Sequence, residues 1–142
     1  MAGKGDIGGL TVKDRQVLVL DTETTGLHPV GDAAVGVSAA WRTAAGEWKG
    51  VYLPFAHGAG GNLPKARVLE AIRDSAMRAK TLIFFNAKFD LHMLMSAGLD
   101  LTGHPMIRDS MLMCAMAWEH LNSYSLDSCA KHWLGAEEGK VE

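Results

Sequence analysis

The stretch Val17-Leu18-Val19-Leu20-Asp21-Thr22-Glu23-Thr24-Thr25-Gly26-Leu27 limits this chain more than any other. Four consecutive apolar residues, two of them β-branched, predict a strand buried on both faces. Two carboxylates come directly after it, and Thr-Thr-Gly turns the chain. Side chains alternate along an extended backbone, so Asp21 and Glu23 share one face, about 7 Å apart along the chain. Like charges at the mouth of a buried strand repel each other and resist desolvation. A cation offsets that cost, and hard oxygen ligands favour Mg²⁺ or Mn²⁺. The plain alternative is a strand that happens to end in an acidic loop.

At 142 residues the chain is one domain, long enough to bury a core. Its net charge of −2 announces no basic field for nucleic acid. That balance does not exclude a nuclease, because acidic metal ligands lower the net charge. Cys114 and Cys129 fall in apolar, helical-looking stretches and read as buried reduced thiols, without zinc-ligand spacing. The glycine-rich start has no apolar core and reads as a flexible lead-in over 1–15, not a signal peptide. No apolar run reaches membrane-spanning length, so the expected setting is reducing and cytoplasmic, with no membrane partner.

Further along, alternation at Val35, Val37, Ala39 and Trp41 predicts a second strand. Residues 47–53, closed by Pro54, predict a third, forming an antiparallel hairpin beside the first. The glycine-rich run 55–62 lacks the Gly-Lys-Ser/Thr of a phosphate loop and reads as surface loop. Asn62 and Pro64 predict a helix entry, with Val68, Leu69 and Ile72 on its apolar face. A short strand over 81–85 precedes a helix over 88–97 with Leu91, Leu94 and Met95 inward. Met106-Ile107 predicts a last short strand, and two capped helices come after it, opened by Asp109 and Ser125, the second ended by Gly135. Strand, hairpin, helix, strand and helices make an α/β layer architecture.

A second polar cluster sits at a strand end, in Phe84-Phe85-Asn86-Ala87-Lys88-Phe89-Asp90. Asn86 and Asp90 lie one helical turn apart and are expected to point the same way. Ligand sites of open α/β sheets gather at the carboxyl ends of strands. If the two strands are neighbours, Asp21, Glu23 and Asp90 converge there, a set suited to holding two metal ions against a phosphodiester. Helix capping and a solvated first-turn acid would account for Asn86 and Asp90 alone, but not for the pairing with Asp21 and Glu23.

Leu20-Asp21-Thr22-Glu23-Thr24-Thr25-Gly26-Leu27 resembles the first motif of the DEDD 3′→5′ exonucleases, and Asn86-Ala87-Lys88-Phe89-Asp90 resembles their second. Asp109-Ser110-Met111-Leu112 and the stretch 124–135 are similar to the family's sequence beyond that second motif. The proofreading domain of polymerase-I-type DNA polymerases is the nearest likeness, from about residue 16 to the end. The resemblance implies a ribonuclease H-like fold, with a mixed β-sheet, an antiparallel hairpin and flanking helices. It implies removal of nucleoside monophosphates from a single-stranded DNA 3′ end with Mg²⁺ or Mn²⁺, in a bacterial or phage-infected cell. It also implies the polymerase portion of a larger protein as partner. Asp21 would bridge two ions, Glu23 would bind one and orient the water, and Asp90 would hold the second. Asn86 and the backbone around Thr24 would contact the terminal nucleotide, and Leu27 would wedge against its base.

The family's third motif, Tyr-x-x-x-Asp or His-x-x-x-Asp, does not occur after residue 90. Tyr124 and Asp127 have the wrong spacing, and no Asp occurs beyond Asp127. The expectation is therefore an exonuclease domain over 16–142 that is C-terminally incomplete, with Met113, Met116, Trp118 and Trp133 facing a missing layer or packing within the chain. Glu137, Glu138 or Glu142 would replace the absent ligand only if the tail folds back. An RNA-directed relative and a non-catalytic module that binds nucleic acid or docks on a polymerase are the alternatives. A haloacid-dehalogenase-type phosphotransferase wants Asp-x-Asp, where this chain has Glu23.

Overall fold

The computed structural model describes residues 7–10 and 15–135. Its elements, in chain order, are β1 (Arg15–Thr24), β2 (Ala34–Arg42), β3 (Trp48–Pro54), α1 (Lys65–Arg78), β4 (Ala79–Phe84), α2 (Ala87–Ala97), β5 (Ile107–Asp109), α3 (Ser110–Ala117) and α4 (Leu126–Leu134). The expected hairpin is β2–β3, paired antiparallel from Gly36 opposite Pro54 to Arg42 opposite Trp48. The five strands form one sheet in the order β3-β2-β1-β4-β5. β1 lies at the centre, antiparallel to β2 and parallel to β4, and β4 is parallel to β5. This is the mixed α/β sheet expected from the sequence. Parallel neighbours need crossovers, and α1 and α2 supply helices for them.

One face of the sheet makes the core. Leu18, Leu20, Val37, Ala39, Leu53, Leu82 and Phe84 are buried there with Val68 and Ile72 of α1 and Met93 and Leu94 of α2. Each large side chain removed from water stabilises the fold by about 1.5–3 kcal/mol. The opposite face is less covered: Val17 and Val19 are half-buried, while Trp48 and Tyr52 are exposed. On α3 and α4, Met113, Met116, Trp118 and Trp133 are exposed rather than packed within the described part of the chain. Trp118 instead stacks on His132, with ring centroids 5.8 Å apart. Cys114 and Cys129 are free thiols, as expected, but only Cys129 is buried; Cys114 is half-buried.

Several local expectations change. Asn62 does not cap α1; Pro64 occupies that position with no side-chain cap. Asn62 is engaged by His57, whose N–H donates to Asn62 Oδ1 while Asn62 Nδ2 donates back to His57 O, both at 2.8 Å. Met93, not Met95, faces the core: the buried stripe of α2 runs through Ala87, Asp90, Met93 and Leu94, one position round the helix from the expected one. Gly98 ends α2 in the left-handed region at φ 107, where its N–H reaches Leu94 O and Met95 O. Within the stretch expected as a lead-in, Ile7 and Leu10 bridge each other and Leu10 is fully buried. Residues 1–6 and 11–14 lie outside the described residues, as do Glu137, Glu138 and Glu142.

Candidate active site

The strand extends through both acids. Asp21 and Glu23 stand on the less covered face of β1, opposite Ser38 and Gly36 of β2, and both are exposed. Leu18, Leu20 and Thr22 alternate onto the core face. Between Glu23 and Thr24 the pairing skips Val35, a bulge that re-aims the strand end. Glu23 and Asp21 therefore leave the sheet where β1 is turning.

Asp90, in the first turn of α2, is brought to this strand end by the parallel pairing of β1 with β4. Its Oδ1 accepts from Thr22 Oγ1 at 2.5 Å and from Thr22 N at 3.3 Å. The residue is buried, and its Oδ2 has no hydrogen-bond partner. Burial pushes the Asp90 carboxyl up to about 6; the Thr22 hydrogen bonds oppose that rise, and the Asp21 and Asp109 charges add to it. The Asp21 carboxyl is also raised, first by partial burial and then by neighbouring Glu23. A buried, orphaned carboxylate oxygen beside a second raised acid is a place where a cation lowers the free energy. The donor set fits a hard divalent ion. Among the described residues, however, no three of His, Cys, Asp and Glu stand close enough to form a ready-made metal cage. Beside the acids lies a cavity of about 540 Å³, lined by Asp21, Asn86, Phe89, Asp90 and Tyr124 among others.

Asn86 and Asp90 both line this cavity but differ in burial, Asp90 being buried and Asn86 not. Asn86 is exposed, at φ 67, and does not cap α2 with its side chain. Its backbone is held by Asp109, whose sequence context predicts only the cap of α3. Asp109 Oδ1 accepts from Asn86 N at 3.0 Å and Oδ2 from Ala87 N at 2.9 Å. The same Oδ1 accepts from Met111 N at 3.0 Å. One carboxylate thus closes the open N–H groups of two helices, the role an aspartate suits on dipole grounds.

The loop after Thr24 is also built. Thr24 Oγ1 donates to Gly26 O at 2.7 Å, Thr25 Oγ1 donates to Asp32 Oδ1 at 2.8 Å, and His28 N donates to Asp32 Oδ2 at 2.9 Å. A Cβ on Gly26 would meet Asp32 Oδ2 at 2.5 Å, so glycine is what lets this braced carboxylate sit so close. His92 Nε2, on α2, bonds to Pro29 O at 3.0 Å and ties the loop to the second motif. Leu27 is 80% exposed and has no packing role that would explain it.

Tyr52, on β3, lies across Gly36 on the same face as Glu23, and its hydroxyl is hydrogen-bonded to His57 Nε2. Burial, and then the Glu23 charge, raises the Tyr52 pKa. No linear motif in the sequence points to this pair.

The fold, a mixed five-stranded sheet with flanking helices, is similar to that of solved nucleases. A structure described as the apo form of the nuclease matches with a TM-score of 0.64 at 18% identity, covering 90% of this chain and 56% of that one. Brucella melitensis NrnC matches with a TM-score of 0.61 at 19% identity, covering 94% and 59%. Product-bound exonuclease I matches with a TM-score of 0.62 at 18% identity, covering 91% and 40%. The fold is that of exonucleases. Residues 10–142 match the family model for 3′-5′ exonuclease, and the chain belongs to that family. It is 31% identical over 122 residues to DNA polymerase DpoZ of Salmonella phage PMBT28, and 32% identical over 117 residues to DpoZ of Acinetobacter phage SH-Ab 15497. Those alignments cover 85% and 81% of this chain but only 18% and 17% of the polymerases. Among the described residues no helix is long and apolar enough to cross a membrane.

Proposed function

We propose that this chain is a divalent-metal-dependent 3′→5′ exonuclease domain acting on the 3′ end of single-stranded DNA and releasing nucleoside monophosphates. The observation that carries this reading is the buried, unpartnered Oδ2 of Asp90, in the first turn of α2, set beside Asp21 near the end of β1. Asp21, Glu23 and Asp90 would hold Mg²⁺ or Mn²⁺. Bound there, the metal would lower the pKa of water and stabilise charge on the attacking and leaving oxygens. Thr22 holds Asp90 in place from the core side. The backbone at Thr24 and the exposed Leu27 and Asn86 would meet the terminal nucleotide, with the Asp32-braced loop fixing Leu27. DNA rather than RNA is favoured by the likeness to phage DNA polymerases, which also points to the polymerase portion of a larger protein as partner.

Digestion of a 3′-labelled single-stranded DNA oligonucleotide with Mg²⁺ or Mn²⁺ tests this. Stepwise shortening from the 3′ end, abolished by EDTA and by Asp21→Ala, is the expected result. Intact oligonucleotide after incubation with folded protein would sink it, and preferential digestion of an RNA oligomer would reassign the substrate.

A further inference from the structure

We propose that a second cavity receives the penultimate nucleotide of the strand, and that Lys88 binds the phosphate on the 5′ side of that nucleotide. This rests on the reading of the acid site as a single-strand 3′→5′ exonuclease, and adds to it where the strand goes next. The cavity measures about 320 Å³ and is lined by Pro29, Asn86, Lys88, Phe89 and His92. Asn86 and Phe89 also line the cavity beside Asp21 and Asp90, so the two spaces share that wall. A 3′ end seated at the acids has further phosphates on its 5′ side only. The adjoining cavity offers its next nucleotide a place.

Charge favours a cation at this point. Asp21, Glu23 and Asp90 repel every phosphate that comes near, and a metal ion among them would offset only the one being cut. With a net charge of −2 the chain has no broad basic field to hold the next one. Lys88 is exposed in the first turn of α2 and takes no hydrogen bond or ion pair among the described residues. Its ammonium meets a phosphate as a compact point charge. The helix terminus leaves little for an anion. The N–H groups of Asn86 and Ala87 are taken by Asp109, and those of Phe89 and Asp90 by Asn86 O. Phe89 adds an aromatic ring, and a cationic groove with aromatic rings is the combination that holds single strands. The far wall is set by His92, whose Nε2–H donates to Pro29 O at 3.0 Å. That bridge fixes the loop after Thr24 against α2, with the cavity between them.

Fluorescence anisotropy of a 5′-labelled oligothymidylate with EDTA, over a range of salt, tests this without cleavage. Each phosphate contact on a single strand adds about 0.7 to the slope of log affinity against log salt. Lys88→Ala should lower that slope by about 0.7, and weaken binding about eightfold at about 50 mM salt relative to about 1 M. Arg73→Ala, at the cavity beside the start of β4 and away from the acids, should leave the slope unchanged. Thymidine monophosphate fills only the acid cavity, so its binding, read by NMR, should be the same in Lys88→Ala and wild type. An unchanged slope in Lys88→Ala overturns the proposal, and so does an equal fall in Arg73→Ala, the mark of a diffuse field. Equal weakening for the mononucleotide overturns it too, by placing Lys88 at the terminal nucleotide. A folded wild-type chain that binds no oligonucleotide sinks the exonuclease reading itself, and this cavity's role with it.

Discussion

The Asp109 carboxylate accepts the backbone N–H of Asn86 across 23 residues of sequence, at 3.0 Å. Asn86 is the non-glycine residue that the described chain holds at positive φ, an unfavourable backbone state unless its surroundings fix it. Asp109 does so, and thereby sets where α2 begins and where Asp90 points.

Asp109→Ala should remove capping from α2 and α3 together. Each cap is worth about 1 kcal/mol, so urea denaturation should show a loss of about 2 kcal/mol or more. Asp109→Asn keeps one acceptor and should lose less. A loss below about 0.5 kcal/mol in the alanine variant would show that water replaces the carboxylate at both helices.

Asp90 makes stability depend on pH in an unusual direction for an acid. Its folded pKa, about 6, lies above the ordinary 3.8. The folded state therefore binds the proton more tightly, and that contribution is complete below about pH 4. It is lost as pH rises through 6, amounting to about 3 kcal/mol in all. Metal-free protein should be less stable at pH 8 than at pH 5. Asp90→Asn should flatten that profile and gain about 1–2 kcal/mol at pH 8, less than the whole because its amide still lacks a partner where Oδ2 stood. Cleavage should be lost in the same variant. Chemical denaturation at the two pH values with EDTA measures both proteins.

Thr22→Val keeps the shape of the side chain and deletes the donor to Asp90 Oδ1. Hydrogen bonds to charged groups contribute about 1.5–3 kcal/mol, and a loss in that range is expected at pH 8. Below pH 4, where Asp90 is neutral, the loss should shrink. Equal losses at both pH values would mean that packing, not the charge, is what Thr22 provides.

Leu27→Ala should leave the unfolding midpoint nearly unchanged, within about 0.5 kcal/mol, because the side chain is 80% exposed. KM for a single-stranded oligonucleotide should rise. An unchanged KM and kcat would remove Leu27 from the nucleotide site.

The central strand, the hairpin and the acids of the two motifs are legible in the sequence because each is written locally. A run of four apolar residues fixes β1, and alternation fixes the face of Asp21 and Glu23. Asp109 shows only half of its work, since a helix cap is visible in sequence while acceptance from Asn86 and Ala87 depends on β4 lying beside β5. Asn62 misleads for a related reason: a capping residue near a proline looks like a helix start, yet its side chain pairs with His57 instead. The Tyr52–His57 pair is invisible because the ring's place over Gly36 comes from the pairing of β3 with β2. Met95 is misplaced because apolar residues occupy two adjoining faces of α2, and packing against the sheet buries the one through Met93 and Leu94.

The Thr22–Asp90 hydrogen bond joins positions 68 residues apart. It cannot exist until β4 has found its register on β1, and the hairpin and α1 lie between them in the chain. Contacts of such sequence separation form late and slowly. A nascent or partly unfolded chain therefore carries its acids scattered, and the proposed metal site comes into being with the parallel pairing. Protection of the Thr22 amide in hydrogen exchange should mark that moment, making this one amide a clock for maturation of the domain.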